Sequence, residues 1–152
     1  MQKTMKTILP VLILMICIAC GGAMAQTGFG LRAGVTADPN QFHFGAHYVS
    51  EPLAWDLLFR PNLEIGFGSD TTAVAANLEF AYRIKIPNKD FSAYIGAGPS
   101  LNVYRHRSKD TNTGGGFNIL IGMEHEKGLF GEVKVGAFDS PEVKFTVGYT
   151  FH

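Results

Sequence analysis

His106 and Ser108 are the residues of this sequence whose types and spacing could support nucleophilic catalysis. A histidine that takes the hydroxyl proton of a nearby serine makes that serine a nucleophile. The pair lies, however, in a segment rich in Lys, Asp, Thr and Gly, a composition typical of a solvated loop. We therefore expect a loop here, and we predict no catalytic residues and no enzymatic activity.

Two other polar segments also fit structural roles better than chemical ones. His43 and His47 are four residues apart, which on a β-strand separates them by about 13 Å, too far for both to ligate one metal ion. We expect hydrogen-bonded histidines, no metal site and no cofactor. The segment from Thr111 to Gly116 is rich in glycine but lacks the Lys-Ser/Thr pair that completes a phosphate-binding P-loop.

The first 25 residues are organised like a cleaved signal peptide. Lys3 and Lys6 precede an apolar run from Ile8 to Ala19, and Ala23-Met24-Ala25 forms a small-residue cleavage site. The apolar run is shorter than the roughly 20 residues that a membrane-spanning helix needs. The prediction is a signal peptide over 1–25 and one domain over 26–152.

Two alternatives for this N-terminal segment stay open. One is an uncleaved membrane anchor. The other is lipidation at Cys20, which follows Ile18-Ala19 as in part of a lipobox, although Cys17 stands where a lipobox normally has leucine. Cleavage after Ala25 would remove both cysteines and so exclude disulfide chemistry from the mature domain. The balance of 13 basic and 13 acidic residues gives no reason to expect a nucleic-acid partner.

Apolar residues alternate with polar or very small residues through the rest of the chain. Side chains alternate across a β-strand, so each such segment has one apolar face and one polar face. Clusters of Pro, Gly, Asn and Asp separate the segments, and the longest predicted loop runs from His106 to Gly115. In the third segment, Leu58 is the one apolar residue on the polar face. The eight predicted strands are 29–35, 42–48, 53–67, 74–86, 91–103, 117–123, 129–137 and 143–151.

Eight alternating strands predict an all-β antiparallel up-and-down barrel, and either of its faces could point inward. A transmembrane barrel puts the polar face in the lumen, whereas a soluble lipocalin-like barrel puts the apolar face there. Glycines on the polar face, balanced charges and aromatic residues near strand ends favour the membrane arrangement. The predicted lumen charges are Arg32, Asp56, Arg60, Glu64, Glu79, Arg83, Lys85, Glu124, Glu132, Lys134 and Lys144. The predicted aromatic girdle at the periplasmic side is Phe29, Tyr48, Trp55, Tyr82, Phe91, Tyr149 and Phe151.

The alternating strands and the aromatic closing segment 143–151 resemble the small eight-stranded outer-membrane barrels of the OmpA/OmpX type. The family usually ends on the aromatic residue, whereas His152 follows Phe151 here. The resemblance implies contact with outer-membrane lipid, insertion by the barrel-assembly machinery through the C-terminal strand, and N- and C-termini in the periplasm of a Gram-negative cell. His106 and Ser108 also resemble the residues that lipid A deacylase barrels pair with a carboxylate, but the surrounding sequence does not match.

The leading functional prediction is a non-enzymatic, monomeric outer-membrane barrel with a packed polar lumen. Its role would be structural, or it would present the loop around Lys109 to a surface partner. Side chains fill the lumen of an eight-stranded barrel, so a general porin role is less expected. The alternative is a soluble periplasmic lipocalin-like barrel that binds a lipid, followed by a lipid A-modifying enzyme.

Overall fold

The computed structural model describes residues 27–108 and 110–152, and this part of the chain forms ten β-strands. Within it, no helix is long and apolar enough to cross a membrane. The predicted signal peptide and Cys20 lie outside the described residues. The strands are β1 (Gly28–Ala37), β2 (Gln41–Val49), β3 (Leu57–Phe59), β4 (Asn62–Phe67), β5 (Thr71–Asn77), β6 (Phe80–Lys85), β7 (Phe91–His106), β8 (Thr111–His125), β9 (Leu129–Phe138) and β10 (Val143–Thr150).

The ten strands close into an antiparallel barrel in which the chain crosses from one end to the other eight times. We call each crossing a wall of the barrel. β3 and β4 follow each other in one wall, as do β5 and β6 in the next, and β7 pairs with both β5 and β6. The interruption between β3 and β4 falls at Pro61, which has no backbone N–H to contribute to a ladder. Pairing of β1 with β10, from Gly30↔Thr150 to Ala37↔Val143, closes the ring. The predicted eight-stranded antiparallel barrel is confirmed.

The barrel has two distinct ends. The turn end carries the four connections 38–40, 68–70, 107–110 and 139–142. The terminus end carries the other three connections, together with the start of β1 and the end of β10. Most of these connections are only a few residues long, as expected for an up-and-down barrel in which each strand pairs with the next.

The predicted loop from His106 to Gly115 is wrong. β7 extends to His106 and β8 starts at Thr111, so the two strands leave only residues 107–110 between them. The register continues from Leu101↔Gly115 to Arg105↔Thr111. Glycine-rich composition indicated a loop, but the backbone of these glycines pairs fully with β7, and this tertiary pairing overrides their weak intrinsic preference for strands.

The predicted start of the third strand at Leu53 is also wrong. Residues 53–56 form a compact turn in which Leu53 N–H donates to Leu57 C=O at 2.8 Å and Leu57 N–H donates to Ala54 C=O at 2.9 Å. Trp55 has a positive φ of 51° in this turn. Local hydrogen bonds therefore satisfy this backbone in place of a ladder, and strand β3 begins at Leu57.

The barrel is polar inside and apolar outside. On β8, the Ile121 side chain is 59% exposed on the outer face, whereas Lys134 on β9 is 1% exposed in the lumen. Leu58, the apolar residue on the polar face of its segment, is fully buried on the lumen side. A lipocalin-like barrel would bury the apolar face, so the observed polarity is the reverse of what that alternative needs.

Glycines leave room for large side chains in the narrow lumen. Tyr94 is fully buried, and a Cβ placed on Gly122 would lie 2.3 Å from its ring. Gly131, on the neighbouring strand, faces outward, and nothing lies within 4 Å of a Cβ placed there. The two positions therefore separate lumen crowding from the general cost of replacing a glycine in a strand.

We expect Gly122→Val to lower the free energy of unfolding by about 1–3 kcal/mol, because the added methyl groups overpack the lumen against Tyr94. Gly131→Val, which places the same side chain in open space, should change it by less than about 0.5 kcal/mol. Urea unfolding in detergent micelles, followed by tryptophan fluorescence, measures both. Equal effects of the two variants would contradict the packing argument.

Candidate functional site

The lumen is filled by a network of paired charges. Among the described residues, five cationic and four anionic side chains are buried. Isolated charges of this kind are too costly to bury, and they are tolerated only when ion pairs and hydrogen bonds compensate for lost hydration. The nine residues are Arg32, Arg60, Arg83, Lys134, Lys144, Glu64, Glu79, Glu124 and Glu132. We call them the lumen network.

Glu124 anchors the part of the lumen network nearest the terminus end. Its two carboxylate oxygens each accept from one arginine: Arg60 Nη1 lies 2.8 Å from Oε2, and Arg83 Nε lies 2.9 Å from Oε1. The Arg60 guanidinium also stacks 4.1 Å above the centre of the Tyr94 ring, a favourable cation–π geometry. One carboxylate on β8 thus connects β6 and the residue that follows β3, across the lumen.

Glu132 occupies the middle of the lumen. It contacts the Arg32 guanidinium and accepts a 3.0 Å hydrogen bond from the Tyr94 hydroxyl. Arg32 in turn places its Nε 3.3 Å from Glu64 Oε1. Strand β1 is thereby connected to β4 and β9 by a single side chain.

Two lysines complete the lumen network toward the turn end. Lys134 Nζ lies 2.6 Å from Glu79 Oε1, and Lys144 Nζ lies 2.6 Å from Glu64 Oε2. Glu79 also accepts hydrogen bonds from Asn62 Nδ2 at 2.7 Å and Asn118 Nδ2 at 3.2 Å. Each of these two carboxylates therefore has several compensating partners.

Asparagine and tyrosine residues extend the lumen network, although the sequence prediction did not include them. Asn77 Nδ2 donates to Asn62 Oδ1 at 2.7 Å, and Asn118 Nδ2 donates to Asn77 Oδ1 at 2.8 Å. All of these residues occupy the alternate strand positions whose side chains face the lumen. The signal for them is therefore present in the sequence, as polar residues at the same alternate positions as the charged ones.

Asp56 and Lys85 do not belong to the lumen network. They pair with each other at 3.0 Å, with side chains 29% and 70% exposed. Lys85 is the last residue of β6 and Asp56 immediately precedes β3, so both lie at the terminus end of the barrel, where water reaches them. Both residues stand at alternate positions whose side chains would face the lumen, but they lie at the very end of the barrel, beyond the enclosed part of the lumen.

The predicted aromatic girdle lies on the outer side of the terminus end. Phe29 packs against Tyr48 with ring centres 4.9 Å apart, and Tyr149 packs against Phe151 at 5.3 Å. Phe91 begins β7, and Tyr82 lies near the end of β6. Trp55 differs from the others, because it is 91% exposed in the 53–56 turn.

Aromatic residues also mark the outer face toward the turn end, which the sequence prediction did not include. Phe44 on β2 and Phe67 on β4 stack with ring centres 5.7 Å apart. Phe42, Phe117 and Phe145 are exposed on the same outer face. Aromatic side chains are thus present toward both ends of the apolar surface.

The two lumen histidines have ordinary hydrogen-bond partners. The His43 ring shares hydrogen bonds with Thr36 Oγ1 at 2.9 Å and Thr146 Oγ1 at 3.1 Å. The His47 ring shares one with Thr150 Oγ1 at 2.9 Å. In the described part of the chain, no group of three or more His, Cys, Asp or Glu residues could hold a metal ion.

His106 and Ser108 show no nucleophile–base arrangement. Ser108 Oγ donates to Asp110 Oδ2 at 3.3 Å in the exposed 107–110 turn, and in the described part of this turn no hydrogen bond joins Ser108 to His106. Glu124 and Glu132, whose adjacent positions raise the possibility of paired carboxylates, are held by separate arginines. In the described residues, neither set shows a nucleophile hydrogen-bonded to a general base.

The lumen contains a small cavity. A cavity of about 10 Å³ lies between His43, Asn102 and Lys144 toward the turn end, about the volume that one water molecule occupies. Ser140, in the turn between β9 and β10, is buried over this end of the lumen and contacts Ser100. The geometry is that of a packed polar interior.

We expect Glu79→Gln to lower the free energy of unfolding by about 3–5 kcal/mol, because it leaves a buried lysine without its closest carboxylate. The glutamine amide would also bring its own N–H₂ donor close to the side-chain N–H₂ groups of Asn62 and Asn118, which now donate to the carboxylate. Asp56→Asn removes one carboxylate from the exposed pair at the terminus end and should cost less than about 1 kcal/mol. Urea titration of both variants in the same detergent provides the comparison, and a silent Glu79→Gln would show that the lumen network does not support the fold.

Comparison with known proteins supports the architecture. No protein-family model and no curated protein matches the chain. The crystal structure of the N-terminal β-barrel domain of Pseudomonas aeruginosa OprF is similar, with a TM-score of 0.60 and 14% sequence identity over 84% of this chain and 100% of that domain. At this identity the likeness concerns the fold. The chain therefore has the eight-stranded barrel fold of the OprF domain, as its resemblance to small outer-membrane barrels implies.

Proposed function

We propose that this chain is a non-enzymatic outer-membrane barrel protein with a packed polar lumen and a structural or surface-interaction role. The observation that carries the proposal is the polarity of the barrel. Its buried side chains are mostly charged or polar, whereas its exposed ones include long rows of Leu, Ile, Val and Phe. This is the reverse of a protein that folds in water.

The exposed apolar surface extends across neighbouring strands. Ile95, Ile121 and Val133 lie side by side on β7, β8 and β9 through the registers Ile95↔Ile121 and Ile121↔Val133. Val133 in turn pairs with Phe145 on β10. A continuous apolar belt of this kind is far larger than the patches that water-soluble monomers expose. Outer-membrane lipid would cover this belt without exposing it to water. The closed barrel can lie in lipid because its backbone hydrogen bonds are all satisfied internally.

The proposed orientation places the terminus end in the periplasm. Three of the barrel connections and both ends of the barrel domain lie there, and the girdle aromatics match an interface position. The turn end then faces the cell exterior. We infer that the barrel-assembly machinery recognises β10, the aromatic-rich closing strand, and that the protein reaches it through a cleaved signal peptide.

Closure and packing support a monomer without enzymatic activity. The β1–β10 pairing closes the sheet, so neither of these strands has an unpaired edge to which a second copy could add a strand. The lumen network occupies the space where a substrate would otherwise bind. A role in bracing the envelope, or in presenting the 107–110 turn to a partner, suits this arrangement better than transport through the lumen.

Cell fractionation with gel electrophoresis tests the location. We expect the protein in the outer-membrane fraction, with faster migration when the sample is not boiled, because an intact barrel stays compact in detergent. A protein released with the soluble periplasmic fraction, with the same mobility before and after boiling, would exclude the membrane barrel.

Arginine substitutions on the outer face test lipid contact directly. Ile95→Arg, in the row of Ile121 and Val133, should cost about 2–4 kcal/mol of stability in vesicles, because it places a charge near the bilayer midplane. Leu129→Arg lies four residues from Val133 toward the terminus end and should cost only about 0–1 kcal/mol. Urea unfolding from phosphatidylcholine vesicles measures this depth dependence. Equal and negligible costs would mean that this face does not contact lipid.

A further inference from the structure

A polar cleft lies between two adjacent turns at the turn end of the barrel. The 68–70 turn joins β4 and β5, and Asp70 C=O accepts a 3.0 Å hydrogen bond from Arg107 N–H in the neighbouring turn. The cleft between them has a volume of about 410 Å³. Its lining includes two arginines and several hydroxyl groups: Ser69, Thr71, Thr72, Arg105 and Arg107.

The pairing of β5 with β7 places Arg105 just beyond the apolar belt. On the outer face, Val74 pairs with Val103, and the next outward pair is Thr72 with Arg105. Two residues along a strand correspond to about 7 Å. Arg105 therefore stands about 7 Å beyond the last apolar pair of this wall. In the membrane position proposed above, this is the level of the lipid headgroups.

The two arginines retain capacity to bind an anion. Arg105 forms no ion pair with any described residue. Arg107 Nη1 lies 3.8 Å from Asp70 Oδ1, and both side chains are more than three-quarters exposed, so this contact is weak and easily exchanged. Guanidinium groups bind phosphate through paired N–H donors, and the neighbouring threonine and serine hydroxyls can donate further hydrogen bonds.

Two exposed arginines of the turn end, Arg105 and Arg107, meet in this cleft, where Asp70 also contributes a carboxylate and Asp110 follows in the neighbouring turn. Elsewhere at the turn end, Asp38, Asp139 and Glu142 are exposed acidic residues on the connections 38–40 and 139–142. Among the described residues, the exposed guanidinium groups that an anion can reach at this end of the barrel therefore lie on the wall formed by β5 and β7.

We propose that the cleft formed by Ser69, Thr72, Arg105 and Arg107 binds the phosphate group of a lipid headgroup in the leaflet at the turn end. This inference rests on the proposed membrane function, because only a bilayer brings headgroups to this height. The lipid's acyl chains then lie along the apolar pair Val74 and Val103 directly below.

Native mass spectrometry of the full mature barrel in neutral maltoside micelles tests the proposal. The micelles contain equal amounts of phosphatidic acid and of diacylglycerol with the same acyl chains, so the two lipids differ only in the phosphate. We expect the barrel to retain phosphatidic acid about 10-fold more than diacylglycerol, equivalent to roughly 1.4 kcal/mol. The double variant Arg105→Ala/Arg107→Ala should lose this preference.

The matched control is Lys89→Ala/Lys127→Ala, which removes two exposed cations from connections at the terminus end. It should keep the preference. Equal loss in both double variants would reduce the effect to net charge and overturn the site. Arginine-dependent binding of inorganic phosphate that displaces the lipid would also overturn the lipid assignment, in favour of a free anion.

Two further measurements separate this inference from the proposed function. Heat-dependent gel mobility verifies that each variant is a folded barrel, and flotation with vesicles verifies insertion. A barrel that inserts but shows no preference for phosphatidic acid overturns only the headgroup site. A wild-type chain that fails to insert overturns the proposed function instead.

Discussion

Buried charge is the constraint on which this barrel depends. The lumen is too narrow to hydrate nine charged side chains, so each must find its compensation in another residue of the protein. The contacts of Glu64, Glu79, Glu124 and Glu132 provide that compensation. Glycines such as Gly122 make the arrangement possible, because they leave space for the large aromatic ring that donates a hydrogen bond to Glu132.

The same constraint explains why the outer surface can be apolar. Apart from Arg105 and Lys85 near the two ends, the charged side chains of the described strands are directed inward, and the backbone is paired around the whole ring. What remains outside is a belt that has aromatic residues toward both ends. The polar lumen and the apolar outer surface thus both follow from one alternating sequence pattern, because successive side chains of a strand point to opposite faces.

Strand number and antiparallel order were predictable from the alternating segments and from the turn residues between them. The lumen face was predictable from its glycines and balanced charges. Height along the barrel was not, since alternation carries no information on where a strand enters or leaves the interior. For this reason Asp56 and Lys85 stand at the same alternate positions as the lumen network but lie at its exposed end. The β7–β8 hairpin was predicted, but the extension of its strands toward the turn was missed, because the glycines of β8 indicate a loop locally and only their pairing with β7 makes them a strand.

Glu64 holds together the seam at which the ring closes. β1 and β10 are the first and last strands, and each contributes one cation, Arg32 and Lys144, to this single carboxylate on β4. A slip of one residue in either strand would turn its cation onto the apolar surface and leave Glu64 with one close partner fewer in the interior. The ion pairs across the lumen therefore favour one alignment of the first and last strands where the ring closes.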